Sequence, residues 1–181
     1  MTIVVRDERP EDHVAVAAVH RAAFENEAEG DLVASLRGEG GVISLVAVDA
    51  TDAVVGHIAF SPATLPPRAP AARPHDCAEG SRPAFALAPL GVLPAHQRSG
   101  IGTALTEEGL ARCRAIGAGA VIVLGDPAYY PRFGFRPAET WGLRSRWDVP
   151  PGVLQAMELV AGSLEDRAGR VAYHPAFDLL D

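Results

Sequence analysis

Apolar positions along the chain follow two periods, and their alternation predicts a mixed α/β order. Ile3, Val4 and Val5 form a short β-branched run, which reads as a strand over 2–6. Pro10, Glu11 and Asp12 then open a helix, since proline suits a first helical turn and acids suit its positive dipole end. Val16, Val19, His20 and Ala23 keep helical spacing behind them. An acidic break at 25–30 precedes a shorter helix over 31–37, with Leu32, Val33 and Leu36 on one face. Two strands, 42–48 and 54–61, flank turn residues 49–52 and read as a hairpin. The run AFALAPLGV over 84–92 is apolar on both faces, as a central strand requires. Pro89 cannot donate to a ladder there, so it marks a bulge or a local separation of strands. A helix over 100–117 carries Ile101, Leu105, Gly109, Cys113 and Ile116 on one stripe. The apolar run AVIVL over 120–124 is expected to lie buried and parallel to the strand before that helix. Asp126 and Pro127 read as N-cap and first residue of a short helix that makes one or two turns over 129–133 and stops at Gly134. A strand over 154–160 and the segment 170–177 complete the pattern.

One stretch breaks the alternation. Residues 66–83 hold five prolines and three arginines, with no aromatic or β-branched side chain. Such a segment cannot bury a core and reads as an exposed surface loop inserted between strands, with Arg68, Arg73 and Arg82 solvated. The remainder is one domain's worth of chain, so a single domain over 1–181 carrying that insertion is expected.

Composition narrows the function classes. Sixteen basic residues against 23 acidic give a net charge of −7, which argues against a general nucleic-acid binder. The opening MTIVVRDERPED lacks the apolar stretch of a secretory signal, and no apolar window is long enough to span a bilayer. No membrane partner is expected, and the default compartment is cytoplasmic. The two cysteines, Cys77 and Cys113, exclude a disulfide scaffold and a four-thiolate zinc site, and no metal site is expected.

The chemistry-bearing stretch is VLPAHQRSGIGT, 92–103. A strand ends, a short loop turns, and a helix starts at paired glycines. The first turn of a helix carries unpaired N–H groups and a partial positive charge, and glycine lets a ligand approach the backbone. Gln97, Arg98, Ser99, Gly100, Ile101, Gly102 and Thr103 thus form an anion site suited to phosphate, with Arg98 adding a full charge. The lysine of a P-loop is missing, as are the third glycine and later acid of a dinucleotide site.

The sequence Gln-Arg-Ser-Gly-Ile-Gly at 97–102 resembles the pyrophosphate loop of the GNAT superfamily of acetyl-CoA-dependent N-acetyltransferases. Two further blocks are similar to that superfamily. The interrupted strand Pro89-Leu90-Gly91-Val92 precedes the loop, and Tyr130 stands four residues before Gly134-Phe135. GDPAYYPRFGF and the later Gly169-Arg-Val171-Ala-Tyr173-His-Pro-Ala176-Phe177 resemble a subgroup of small bacterial-type members.

The resemblance implies a mixed central sheet of about seven strands flanked by helices, with a bulged central strand and splayed parallel strands. It implies acetyl-CoA as co-substrate. Backbone groups of Leu90, Gly91 and Val92 would pair with the pantetheine arm, and residues 98–102 would take the pyrophosphate. The Val92 N–H would hold the thioester oxygen, and Tyr130 would protonate the leaving thiolate. Tyrosine near pKa 10 can donate to a thiolate whose conjugate acid lies near 8.5 after a small shift. Tyr129 reads as a packing residue. Where relatives carry an asparagine this chain has Val123, so Asp126 or backbone groups would replace its contacts.

The general base stays open among Glu25, Glu27, Glu29 and Asp31, the isolated histidines His57 and His174, and a bound water. The acceptor is expected to be a small-molecule or peptide amine, and a homodimer is conceivable. The competing reading is an acyl-CoA-binding sensor or assembly module without turnover.

Overall fold

The structure, a computed structural model, describes residues 2–24, 27–68 and 82–180. A seven-stranded sheet has the order β1 (Val4–Asp7), β2 (Ile43–Val48), β3 (Val54–Ala63), β4 (Ala84–Val92), β5 (Ala120–Leu124), β8 (Leu154–Glu158) and β6 (Arg136–Pro137). A separate pair, β7 (Leu143–Arg144) and β9 (Gly169–Arg170), runs parallel. The chain folds as two compact units, Met1–Ser61 with Ala88–Arg112 and Pro175–Asp181, and Pro62–Leu87 with Cys113–His174.

In the first unit, β1, β2 and β3 form an antiparallel meander with Leu45 facing Asp7 on one side and Ile58 on the other. Asp49 closes the β2–β3 hairpin, its Oδ1 accepting the Thr51 and Ala53 amides at 2.8 and 3.1 Å. Helix α1 (His13–Phe24) is entered through a 3₁₀ turn, Pro10–Asp12. Asp12 does more than favour the dipole. Its buried carboxylate takes Arg6 guanidinium bonds at 2.6 and 3.0 Å and the Arg9 amide at 2.8 Å. Helix α2 (Ala28–Leu36) starts three residues ahead of its sequence-based limit, because Glu29 and Gly30 extend it. Val16, Val33, Val46 and Val48 pack as one cluster joining α1, α2 and β2. Helix α3 (Ile101–Ala115) buries Ile101, Leu105 and Cys113. Gly109 is there for shape: a Cβ would stand 2.1 Å from the ring of the fully buried Phe60. Ile116 leaves the expected stripe and is 53% exposed, since the helix has ended at Ala115 and Gly117 turns the chain at φ +78°.

In the second unit, β4 and β5 are parallel as expected, in register from Ala84↔Ala120 to Leu87↔Val123. That ladder ends two residues before Pro89, whose peptide bond with Ala88 is cis. β8 pairs antiparallel with β5 and ends at Glu158, short of 160, because the Leu159 and Val160 amides both turn onto the Gly119 carbonyl. At the described ends of the 66–83 segment Pro67, Arg68, Arg82 and Pro83 are exposed, as expected, and Arg68 is in addition hydrogen-bonded. Arg68 donates its backbone amide to Asp166 O at 2.8 Å and its guanidinium to Glu165 O and Trp141 O at 3.2 and 3.1 Å. Residues 69–81, with Arg73 and Cys77, lie outside the described residues.

Candidate functional site

The loop after β4 is shaped by two left-handed residues. Arg98 has φ +58° and Gly100 has φ +88°. Alternating handedness turns successive amides toward one side, the geometry of an anion-binding nest. A non-glycine residue adopts this conformation rarely, so Arg98 is held there by its surroundings. The Gln97 side chain donates back to Val92 O at 3.1 Å, and the Ser99 hydroxyl donates to His96 O. Both polar side chains bond back to the backbone and brace the loop. The first helical bond is Ala104 N–H to Gly100 O at 3.0 Å, so Ile101, Gly102 and Thr103 contribute the unpaired amides of the first turn. Around Gly100 a Cβ would meet nothing within 4 Å among the described residues, and 97–100 are exposed. Space, dipole and charge converge there on an anion.

Upstream, Leu90 and Val92 are half-buried and Gly91 is buried. Gly91 is required by what faces it. A Cβ would stand 2.8 Å from His20 Nδ1 and 3.4 Å from Val19. His20, from α1, is fully buried. Its Nε2 lies 2.8 Å from Nδ1 of His57 on β3, also fully buried, and His57 Nε2 lies 2.8 Å from Ser44 Oγ on β2. Ser44 donates to Glu8 Oε2, while Arg37 holds Glu8 Oε1 at 2.7 and 3.1 Å. Burial raises the Glu8 carboxyl, but His57 3.7 Å away and the hydrogen bonds from Ser44 and Arg37 outweigh it and bring the pKa down to about 2. Burial and the neighbouring His57 bring His20 down to about 3. Burial also lowers His57, against the pull of Glu8. Both imidazoles are therefore neutral at neutral pH.

In the second unit, Tyr130 begins a 3₁₀ turn, Tyr130–Phe133, closed by Gly134 at φ +98°. The one or two helical turns expected over 129–133 are this 3₁₀ turn, ended at Gly134 as expected, but its N-cap is Tyr129, without a side-chain bond. Asp126 is not its cap; it shapes the turn ahead of it, its Oδ1 accepting the Ala128 amide at 2.8 Å. The Tyr130 ring lies on Gly125, where a Cβ would stand 2.2 Å from it, and packs edge-on against Phe135. Burial, then Tyr129 and Asp126, push the Tyr130 phenol upward, away from the thiol range rather than toward it. It therefore stays protonated, as a donor must. The Tyr129 ring packs against Phe133, and its hydroxyl is buried without a hydrogen-bond partner among the described residues.

The candidate bases separate. Glu27 pairs with Arg21 at 3.0 Å on the surface, and Asp31 is exposed. Glu29 Oε2 is shielded without a hydrogen-bond partner among the described residues. Glu25 lies outside them, and His174 belongs to the second unit. Cys113 is a core residue, its thiol raised to about 12 by burial.

A sequence profile of the Acetyltransferase (GNAT) family matches residues 6–135. The chain belongs to the GNAT family.

The uncharacterised N-acetyltransferase YhbS of Escherichia coli K12 is 34% identical over 177 residues, 97% of this chain and 99% of YhbS. The crystal structure of the E. coli protein in complex with CoA matches with a TM-score of 0.84, covering 97% of this chain and 92% of that one. A GNAT acetyltransferase of Brucella melitensis in complex with acetyl-CoA is 36% identical, with a TM-score of 0.73 and coverage of 98% and 99%. The mixed sheet flanked by helices is thus the GNAT architecture. Among the described residues no helix is long and apolar enough to cross a membrane. Sequence reasoning about this GNAT chain took His57 as isolated and passed over His20. The available signal was a histidine sharing the apolar spacing of Val16 and Val19.

Proposed function

We propose that this chain moves the acetyl group of acetyl-CoA to an amine by direct attack on the thioester. The observation that carries the reading is the loop from Gln97 to Thr103, with left-handed Arg98 and Gly100 opening onto the first turn of α3. Its GNAT relatives with CoA and acetyl-CoA bound support the same ligand here. The amides of 98–102 take the pyrophosphate, with Gln97 and Ser99 bracing the loop and Thr103 completing the first turn. Backbone groups of Leu90, Gly91 and Val92 take the pantetheine arm as an added strand would.

In the reaction the amine nitrogen bonds to the carbonyl carbon, and the oxygen gains negative charge held by the Val92 N–H. Collapse breaks the C–S bond, and the thiolate takes the phenolic proton of Tyr130. A thiolate leaving into dry surroundings has its own pKa raised, which offsets the upward shift of the tyrosine. The acceptor is a small-molecule or peptide amine.

Tyr130→Phe tests the assignment. Free-thiol release from acetyl-CoA, measured over a panel of primary amines, should fall about 10²-fold or more. Calorimetric affinity for CoA should hold. Full turnover in the variant removes Tyr130 from the chemistry. CoA binding with no turnover by either protein favours a binding module instead.

A further inference from the structure

β8 buries one polar side chain among apolar ones. Leu154, Gln155 and Ala156 are its buried residues, and Gln155 is 1% exposed. An amide taken out of water costs free energy unless its hydrogen bonds are met inside the protein. Gln155 finds its acceptors on the turn that follows β5. Its Nε2 donates to Gly125 O at 3.2 Å and reaches Asp126 O at 3.5 Å. The reach follows from register. Gln155 stands opposite Val123 on β5 and opposite Pro137 on β6, so it sits in an inner strand held on both sides. Residues two apart along a strand share a face, and Gly125 lies two beyond Val123. The Gly125 amide prolongs the pairing with β8 by donating to Val153 O at 3.0 Å.

The same two carbonyls belong to the residues that carry Tyr130. Gly125 lies under its ring, where a Cβ would stand 2.2 Å away. Asp126 O accepts the Tyr129 and Tyr130 amides at 3.0 and 3.4 Å. Phe135 packs against the same ring, with centroids 5.6 Å apart. Gln155 is therefore bonded to the residue that floors the ring and reaches the one that holds its backbone. All of these groups belong to the second unit.

We propose that Gln155 is a positioning residue of the acetyl transfer, its buried amide fixing the Gly125 and Asp126 carbonyls and, through them, the place of the Tyr130 hydroxyl. The proposal rests on Tyr130 giving its proton to the leaving thiolate. Gln155 itself exchanges no proton in the reaction. An apolar side chain of the same length leaves Gly125 O without this donor. The turn then shifts to find another partner, and the ring lying on Gly125 shifts with it. General acid catalysis needs the donor within hydrogen-bond reach, and a misplacement of about 1 Å costs up to about 10²-fold in rate.

The test is a double-mutant cycle on the full chain, read by thiol release from acetyl-CoA with primary amines. Gln155→Met should lower kcat about tenfold or more and leave KM for acetyl-CoA within about twofold. Added to Tyr130→Phe, it should change kcat by less than about twofold, because the group it positions is gone. Gln155→Glu at pH 6, where burial keeps the acid neutral and able to donate, should restore most of the rate. Gln155→Asn, one methylene too short, replaces Gln155→Met in the cycle where that variant does not fold. An unchanged kcat in Gln155→Met, an equal fall in both backgrounds, or no rescue by Gln155→Glu overturns the proposal. A second readout needs no turnover. With ¹³C at the phenolic carbon of the three tyrosines, Gln155→Met should move the Tyr130 resonance, identified by its loss in Tyr130→Phe, and leave Tyr173 in place. Burial holds the Tyr130 phenol above its ordinary range, so in Gln155→Met it should also ionise at lower pH. A Tyr130 resonance that stays put, or one that moves no more than Tyr173, overturns the proposal. Full turnover by Tyr130→Phe alone sinks the acid assignment instead, and the spectrum still reports whether Gln155 holds the ring.

Discussion

Residues 97–103 and the chain from Glu8 to His20 both meet β4, one just beyond its end and the other at Gly91, yet they are built differently. The loop is seven consecutive residues, exposed over 97–100 and turning inward at the buried Ile101, and its Gln97 and Ser99 side chains bond back to its own backbone. The buried chain draws on the residue after β1 and on β2, β3 and α1, and is built of side chains, with both imidazoles fully buried. Gly100 stands in open space, whereas the place of a Gly91 side chain is filled by an imidazole. A local device tolerates change around it and fails only when its own backbone is blocked. A device assembled from distant segments is part of the core, so altering it alters stability as well.

The largest expected effect breaks the comparison by pH. His20 is held at about 3 against an ordinary 6.5, so below pH 6.5 the unfolded chain binds a proton that the folded chain refuses. Stability is then complete above pH 6.5 and falls toward pH 3, by on the order of 5 kcal/mol over the whole window. Glu8, held at about 2 against 4.5, adds a further loss below pH 4.5. Urea unfolding from pH 7 to 4 should show the slope, and His20→Gln should flatten it. A flat profile in the unaltered protein refutes the burial of a neutral histidine. The loop predicts no such dependence.

Next come the glycines that face rings. Gly91→Ala against His20 and Gly125→Ala against Tyr130 should each lose about 1–3 kcal/mol, the usual range for overpacking. Thermal melts read this directly. A melting temperature unchanged in both variants shows that the rings move aside.

The loop answers to ligand instead. Gly102→Glu places a carboxylate at the anion site, and CoA affinity should drop at least about tenfold, near 1.4 kcal/mol, while the melt is preserved. Unchanged affinity removes the phosphate from this loop. Smallest is Gly100→Ala. With φ at +88° and open space around it, only the left-handed backbone is penalised, by about 1 kcal/mol.

Much of this was legible in one dimension. The β2–β3 hairpin, the parallel β4–β5 pair and the anion loop all arise from neighbours in sequence, where periodicity and turn chemistry act directly. Errors gathered where short-range signals compete. Ile116 continued a stripe whose helix Gly117 terminates, and Asp126 and Pro127 read as N-cap and first residue of a short helix whose N-cap is Tyr129. Arg68 is exposed as read, but its bonds to Trp141 O and Glu165 O were not legible because those acceptors lie far along the chain.

The sequence by itself determined the order of elements, the GNAT resemblance and the position of the anion loop, because each is written in adjacent residues and short-range periodicity. Only the tertiary structure decided that His20 meets His57, that Ser44 and Glu8 orient both, and that Gly91 exists to admit an imidazole. Those partners stand 13 to 37 residues apart along the chain, and a hydrogen bond depends on distance in space, on burial and on which atom holds the proton.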